Sequence, residues 1–400
     1  MLISVIIQAY QVEQYLEKCI RSVTAQTYKE LEVIIIYKGS DNYFYNLLSL
    51  CKNLDSRIKV IKQEDKGLVN GRKLGAGCAS GEYILHIDGD DWMEKDYIEN
   101  LVHASEEGRF DVVCAGHWVT YPNEEKIVYN KIPAGQYLTK KIIDKLFYHD
   151  VFYEFGITPY VWSKLLRTDI VKKIHKDIDG DISLGEDVAI IFPAILNSNE
   201  ITVTSISGMH YVQRKDSGVR TGDTFEKQHN CALMKFLNFN FREFYSGTNL
   251  YYSLNRYCKL IWLFRSIEYF DQNESKLILN PLGGLHKESK VIIYGAGSLG
   301  QSIYSYLINR KDISVAAWVD KDYVNLQNIG LDIVAPSEIE HCEYDYIVLG
   351  CASERTAEAI TGYLLQKDVP AEKIRWLTKE FLSDDYNLLS EVLDGKNLTD

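Results

Sequence analysis

Three carboxylates close an apolar run in Gly81-Glu82-Tyr83-Ile84-Leu85-His86-Ile87-Asp88-Gly89-Asp90-Asp91-Trp92. Asp88 and Asp90 stand two apart, so in extended chain they share one side, and Gly89 lets the backbone turn. Two hard oxygen ligands suit Mg2+ or Mn2+ bound jointly with a nucleotide diphosphate. The bland alternative is a solvated acidic turn. A second pattern lies far down the chain, where Gly295-Ala296-Gly297-Ser298-Leu299-Gly300 follows the apolar run Val291-Ile292-Ile293-Tyr294. Asp320 ends the next apolar run, twenty residues past Gly300. In that context Gly295, Gly297 and Gly300 would shape a turn, helix N-terminal N–H groups would face phosphate, and Asp320 would accept from a ribose. That is the pattern of a NAD-type nucleotide site. The spacing Tyr363-x-x-x-Lys367 lies on a late helix and reads better as an amphipathic surface than as a catalytic pair.

These residues need elements to hold them. Short runs rich in Ile and Val at 2–7, 31–37, 83–87 and 111–115 predict buried strands. Between the first two, residues 14–26 place Tyr15, Leu16, Cys19, Ile20 and Val23 on one helical face. Strand-helix alternation of this kind predicts an α/β fold with a mostly parallel sheet covered on both sides, its acids at the C-terminal end of a strand where such sheets bind ligands. After residue 118 a polar stretch gives way to helices predicted near 138–148, 160–174 and 185–196. Residues 224–280 are dense in aromatics and read as helix. The alternation then restarts, with strands at 290–294, 315–319 and 346–349 and helices to 307 and over 355–367. Four parts are expected: a first α/β domain over 1–223, a helical linker over 224–286, a smaller Rossmann-like domain over 287–380, and an acidic tail over 381–400.

The 400 residues carry 44 Lys and Arg against 56 Asp and Glu, a net charge of −12, which disfavours a nucleic-acid binder. The eight cysteines include no C-x-x-C pair, so buried reduced thiols are expected rather than a zinc knuckle or redox motif. Met1–Ile7 reads as a first strand rather than a signal peptide, and no run is long and apolar enough to span a membrane. A cytoplasmic, reducing location is expected.

Several segments, in order, carry a family likeness. Val5-Ile6-Ile7-Gln8-Ala9-Tyr10-Gln11 forms an opening strand and turn, followed by Ser22-Val23-Thr24-Ala25-Gln26-Thr27-Tyr28 and Leu31-Glu32-Val33-Ile34. Lys66-Gly67-Leu68, Gly71-Arg72 and Gly75 come next, then Asp88-Gly89-Asp90-Asp91-Trp92, Trp162-Ser163-Lys164-Leu165, Gly185-Glu186-Asp187 and His210-Tyr211-Val212-Gln213-Arg214-Lys215-Asp216-Ser217. The first 220 residues or so thus resemble family 2 glycosyltransferases of the GT-A fold. The resemblance implies a metal held by Asp88 and Asp90, with His210 as a further ligand, and Asp187 as the base. It also implies a donor nucleotide on Gln8, Tyr10, Lys38, Arg72, Asp88, Arg214 and Ser217, and an acceptor on Trp162 and Glu186. An ordinary Asp pKa near ~4 would leave Asp187 ionised at pH 7. Asp187 also opens an apolar helix, where an acid complements the helix dipole. The C-terminal segment resembles small Rossmann-like modules, including nucleotide-sugar-binding portions of sugar-modifying enzymes.

One departure bears on the donor. The family places a carboxylate where this chain has Lys38, in Tyr37-Lys38-Gly39-Ser40. Lys38 can only donate, whereas uracil N3–H needs an acceptor. Cytosine as the donor base, a carboxylate from Asp41 or Asp65, and lost activity are the three explanations. The resulting expectation is an inverting enzyme using Mn2+ or Mg2+ and a nucleotide-activated donor. It would act on a glycan, polyol or lipid-linked acceptor in bacterial surface glycan synthesis. A peripheral association with the inner membrane face or a biosynthetic complex, and an oligomer, are compatible with that role. The rivals are a degenerate domain that binds without turnover and a NAD-dependent oxidoreductase centred on Gly295–Gly300.

Overall fold

The computed structural model describes residues 1–64, 67–147, 151–178, 180, 182, 185–214, 227–272, 276, 279 and 282–395. The chain divides into two compact units, one made of residues 1–146, 155–213 and 235–250 and the other of residues 147–154, 214–234 and 251–400.

The first unit opens β1 (Ile3–Tyr10), α1 (Glu13–Thr24), β2 (Leu31–Lys38), α2 (Asp41–Leu54), β3 (Ile58–Lys62), α3 (Leu68–Cys78) and β4 (Tyr83–Asp88). These four strands lie parallel in the order β3-β2-β1-β4. Ile3, Val5, Ile6, Ile7, Val33, Ile34, Ile35, Leu85 and Ile87 are buried, because helices cover both faces of the sheet and the strands therefore read as continuous apolar runs. Leu16, Cys19, Ile20 and Val23 are the buried stripe of α1, as their helical spacing predicts. The Ser40 hydroxyl accepts the Tyr43 N–H and caps α2.

The same unit continues with β5 (Trp92–Met93), α4 (Tyr97–Ala104), β6 (Val112–Thr120), β7 (Glu125–Val128), β8 (Gly135–Leu138), β9 (Lys164–Arg167), α5 (Thr168–Asp177), α6 (Glu186–Leu196) and β10 (Glu200–Val212). The full sheet runs β3-β2-β1-β4-β9-β6-β10-β5, with β7 on β6 and β8 on β10. Two helix expectations are corrected here. Within 160–174, Lys164–Arg167 is a strand set antiparallel between β4 and β6, and helix begins only at Thr168. The cause is Leu165-Leu166, which is buried between two strands and gains more from pairing than from a helical stripe. Within 138–148 there are two single 3-10 turns, Thr139–Lys141 and Ile143–Lys145.

α7 (Lys227–Phe241) is divided between the units after residue 234. The second unit holds α8 (Leu250–Arg265), α9 (Ile267–Gln272), β11 (Ser289–Tyr294), α10 (Ser298–Leu307), β12 (Ile313–Val319), α11 (Tyr323–Asn328), β13 (Tyr346–Leu349), α12 (Glu354–Gln366), β14 (Ile374–Arg375), α13 (Lys379–Leu382) and α14 (Leu388–Leu393). Its four strands are parallel in the order β12-β11-β13-β14, a second, smaller α/β sheet. The acidic C-terminal residues pack onto α8 and α9: Asp384 pairs with Arg256 at 2.7 Å, and Glu391 accepts from Tyr269 and Lys276. Leu388, Leu389 and Val392 are buried there. All eight cysteines are free thiols. Among the described residues no helix is long and apolar enough to cross a membrane.

Candidate active site

Strand pairing sets Asp88 beside Gln8 at the C-terminal ends of β4 and β1. The turn that follows is tight: Gly89 N–H donates to the Gln8 carbonyl at 2.8 Å and Asp91 N–H to the Asp88 carbonyl at 3.0 Å. A Cβ on Gly89 would lie 2.8 Å from that Gln8 oxygen and 2.9 Å from Val12, so glycine alone lets the turn sit this close to β1. Asp91 is buried, and its Oδ1 accepts Val212 N–H at 2.8 Å, tying the turn to β10. Asp91 is therefore structural, while Asp88 and Asp90 are partly open at the strand end.

α3 packs hard against β1, since a Cβ at Gly71 or Gly75 would collide with Gln8, Gln63 or Ile6. That approach delivers Arg72, whose side chain is 2% exposed, into the acids. Its guanidinium bonds the Asp187 carboxylate, stands 3.5 Å from Asp88 and lies 3.9 Å from Glu186. Burial opposes its charge, but Asp187, Asp88 and Glu186 more than restore it and raise its pKa. Arg72, expected on the donor nucleotide, is enclosed, with these carboxylates as its direct partners.

Burial pushes the Asp187 carboxyl up to about 6, and Glu186 adds to the rise against the pull of Arg72 and the Val161 N–H. The ordinary value expected for Asp187 is thus overturned by its enclosure, though it is still mostly ionised at pH 7. Asp88 rises to about 6 by burial too, with Asp187 and Asp90 opposing Arg72. Gly185, at φ 73°, turns the chain into α6 so that Glu186 and Asp187 form its first turn.

Among the described residues Arg72 faces Asp88, Glu186 and Asp187, and the buried Lys164, whose ammonium burial pushes down to about 8, lies in the field of Asp187. A strand end this rich in carboxylates is one that a divalent cation fits. Asp88 and Asp90 would hold it, with a diphosphate and water completing the shell. Among the described residues no group of three or more His, Cys, Asp or Glu is arranged to hold a metal. His210 stacks on Trp92 with ring centroids 3.6 Å apart, its Nδ1 3.0 Å from Thr120 Oγ1 and 3.2 Å from Glu125, its Nε2 3.5 Å from Glu94. Thr120 and Glu125 engage its Nδ1, while among the described residues its buried Nε2 makes no hydrogen bond.

Of the other expected donor residues, Gln8 is buried and its Nε2 lacks a hydrogen-bond partner among the described residues, a donor available to a ligand. Tyr10 is exposed at the end of β1. Lys38 Nζ donates to the Glu64 carbonyl at 3.1 Å, and Asp41 pairs with Lys62. Arg214 follows β10, whereas Ser217, Asp65 and Lys66 lie outside the described residues. Trp162, expected on the acceptor, is 3% exposed and stacked between Tyr160 and Tyr211. Tyr160 is the open one of the three and, with Lys164, was not among the residues the sequence suggested for the site.

In the second unit Gly295 has φ 110°, and a Cβ on Gly300 would collide with the Gly295 carbonyl, so both glycines serve a close strand-to-helix turn. Asp320 serves the same turn, one oxygen accepting Ala296 N–H and the other Asp322 N–H, each at 2.8 Å. Neither this geometry nor any likeness below supports a NAD-type nucleotide there. Tyr363 packs edge-on to Tyr294 and Lys367 pairs with Glu340 at 3.0 Å, so the two ends of that Y-x-x-x-K spacing have separate structural partners.

Residues 4–167 match the model of the family described as Glycosyl transferase family 2. That segment resembles a glycosyltransferase family 2 domain. Residues 287–375 match the model described as C2185-like, N-terminal. Glycosyltransferase GlyA of Streptococcus pneumoniae serotype 4 is 31% identical over 221 residues, 54% of this chain and 31% of that protein. The uncharacterized glycosyltransferase EpsJ of Bacillus subtilis is 30% identical over 186 residues, 46% of this chain and 54% of its own length. The chain thus spans about half or less of these two relatives. Among solved structures, S. aureus TarS 1-349 in complex with UDP-GlcNAc superposes with a TM-score of 0.53 at 19% identity, covering 68% of this chain and 76% of that one. At that identity the likeness is one of fold.

Proposed function

We propose that the chain is an inverting, divalent-metal-dependent glycosyltransferase of bacterial surface glycan synthesis, moving a sugar from a nucleotide diphosphate to a saccharide or polyol. The observation that carries this reading is the gathering of Asp88, Glu186 and Asp187 around the buried Arg72, with Asp90 beside them. The named glycosyltransferase relatives support it. Asp187 accepts the proton of an acceptor hydroxyl. The acceptor oxygen bonds to the anomeric carbon as the bond from that carbon to the diphosphate breaks, and the leaving nucleotide keeps the electron pair. Arg72 holds Asp187 in place, and Gln8 Nε2 supplies a buried donor beside Asp88. A divalent cation bound at Asp88 and Asp90 supplies charge neutralisation for the departing diphosphate.

A UDP-sugar is the first donor to test, because the Lys38 ammonium is engaged by the Glu64 carbonyl and TarS was solved with UDP-GlcNAc. Incubating the protein with a panel of UDP- and CDP-activated sugars and Mn2+ should release nucleotide from one donor class, and chelation should stop it. Release that ignores EDTA, or no release from any donor, counts against the proposal.

A further inference from the structure

The Val161 N–H faces the carboxylate of the proposed base Asp187, and the preceding residue, Tyr160, carries an open aromatic ring. The segment is braced from beneath. Asn130 Oδ1 accepts from Thr158 N–H at 2.9 Å and from Thr158 Oγ1 at 3.1 Å, and its Nδ2 donates to the Ala115 carbonyl at 3.2 Å. The fully buried Lys164 donates to Thr158 Oγ1 at 2.8 Å, to Ser163 Oγ at 2.7 Å and to the Tyr160 carbonyl at 3.2 Å.

The ring itself is backed on one side. Trp162 lies nearly parallel to it, centroids 4.9 Å apart at 11°, and His117 meets it edge-on at 5.4 Å. Yet Tyr160 is 37% exposed. Its phenol pKa is raised, first by burial and then by the charge of Asp187.

We propose that Tyr160 is the acceptor platform and that the acceptor is a pyranose ring, its C–H face stacked on the open face of Tyr160 while one hydroxyl reaches Asp187. The inference rests on the transferase reading above and narrows its acceptor. A flat aromatic face backed by a second aromatic complements the flat C–H face of a pyranose. An open-chain polyol presents hydroxyls on every side and has no such face. Because the platform is held by buried hydrogen bonds, little ordering entropy is lost on binding, and the hydroxyl arrives oriented for proton transfer.

The test uses the full chain with Mn2+ and its best UDP-sugar. The probes are methyl glucopyranoside, methyl galactopyranoside and methyl N-acetylglucosaminide, compared with ribitol and glycerol. Saturation transfer from aromatic protons reports binding, and nucleotide release reports transfer. At least one pyranoside should bind and accelerate release. Tyr160→Ala should raise its KM by about 10-fold or more with a smaller change in kcat, and Tyr160→Phe should stay within about twofold of the parent. Tyr160→Leu, which keeps bulk and removes the ring, should behave as the alanine variant does, and retained UDP affinity reports that each variant is folded. An unchanged KM in Tyr160→Leu, or acceleration by ribitol or glycerol and by no pyranoside, overturns the proposal. Failure of the transferase reading looks different: no nucleotide leaves any donor, and saturation transfer alone then decides, with pyranoside binding lost in Tyr160→Leu expected and absent or unchanged binding contrary.

Discussion

Arg72 on α3 and Asp187 in the first turn of α6, 115 residues apart in sequence, form a buried charge-assisted hydrogen bond. The same guanidinium faces Asp88 and Glu186, so one cation organises three acids from two elements, β4 and α6. Removing it leaves carboxylates uncompensated. Arg72→Ala should therefore destabilise the first unit by ~3–5 kcal/mol, seen as a lower thermal midpoint. Arg72→Lys keeps the charge but not the fork, and should recover part of the stability and little of the activity. A midpoint unchanged in Arg72→Ala contradicts this arrangement.

Asp187→Asn removes the proposed proton acceptor and keeps the shape. Turnover should fall ~100-fold or more while nucleotide affinity persists. The ionised form is the active one, so kcat/KM in the parent should rise with pH through about 6, the value to which burial lifts Asp187. Near-normal turnover in the variant assigns the base elsewhere.

Asp90→Asn should abolish the gain in UDP affinity that Mn2+ confers, with the thermal midpoint little changed, because a partly open strand-end acid contributes little to the core. Calorimetric titration of UDP with and without Mn2+ measures this. Equal Mn2+ enhancement in parent and variant removes Asp90 from the metal site.

Glu32 on β2 gives a stability prediction at some distance from the chemistry. Burial alone raises its pKa, but hydrogen bonds from Ser4, Ser80 and Lys59 hold it at about 2 in the fold. The unfolded value is ~4.3, so its stabilisation is complete above that pH and is lost as pH falls through about 2. Thermal midpoints of the parent and Glu32→Gln should differ most near neutral pH and converge on acidification from pH 4 toward 2. A gap that is constant with pH rules out the charged form as the source.

Much of this molecule was legible in its residues. The Ile- and Val-rich runs are strands because both sheet faces are covered, and the acids of the Asp88–Asp91 turn lie where such a strand must end. What was not legible depends on contacts distant in sequence. Lys164–Arg167 has the composition of a helix start, and only the gap between β4 and β6 makes it a strand. Trp162 looks like an exposed aromatic until Tyr160 and Tyr211 are stacked on it. The pKa of Asp187 follows from burial set against the pull of Arg72, 115 residues away, which no local pattern encodes.

The central claim is that Asp88, Asp90 and Asp187 act on one nucleotide-activated donor. The most direct measurement is a crystal soaked with UDP and Mn2+, with the metal located by anomalous scattering. The account predicts one Mn2+ peak bound by Asp88 and Asp90, sharing the UDP diphosphate, with Asp187 facing the end of that diphosphate. UDP bound at the Gly295–Gly300 turn instead, with no Mn2+ at Asp88 and Asp90, would contradict it.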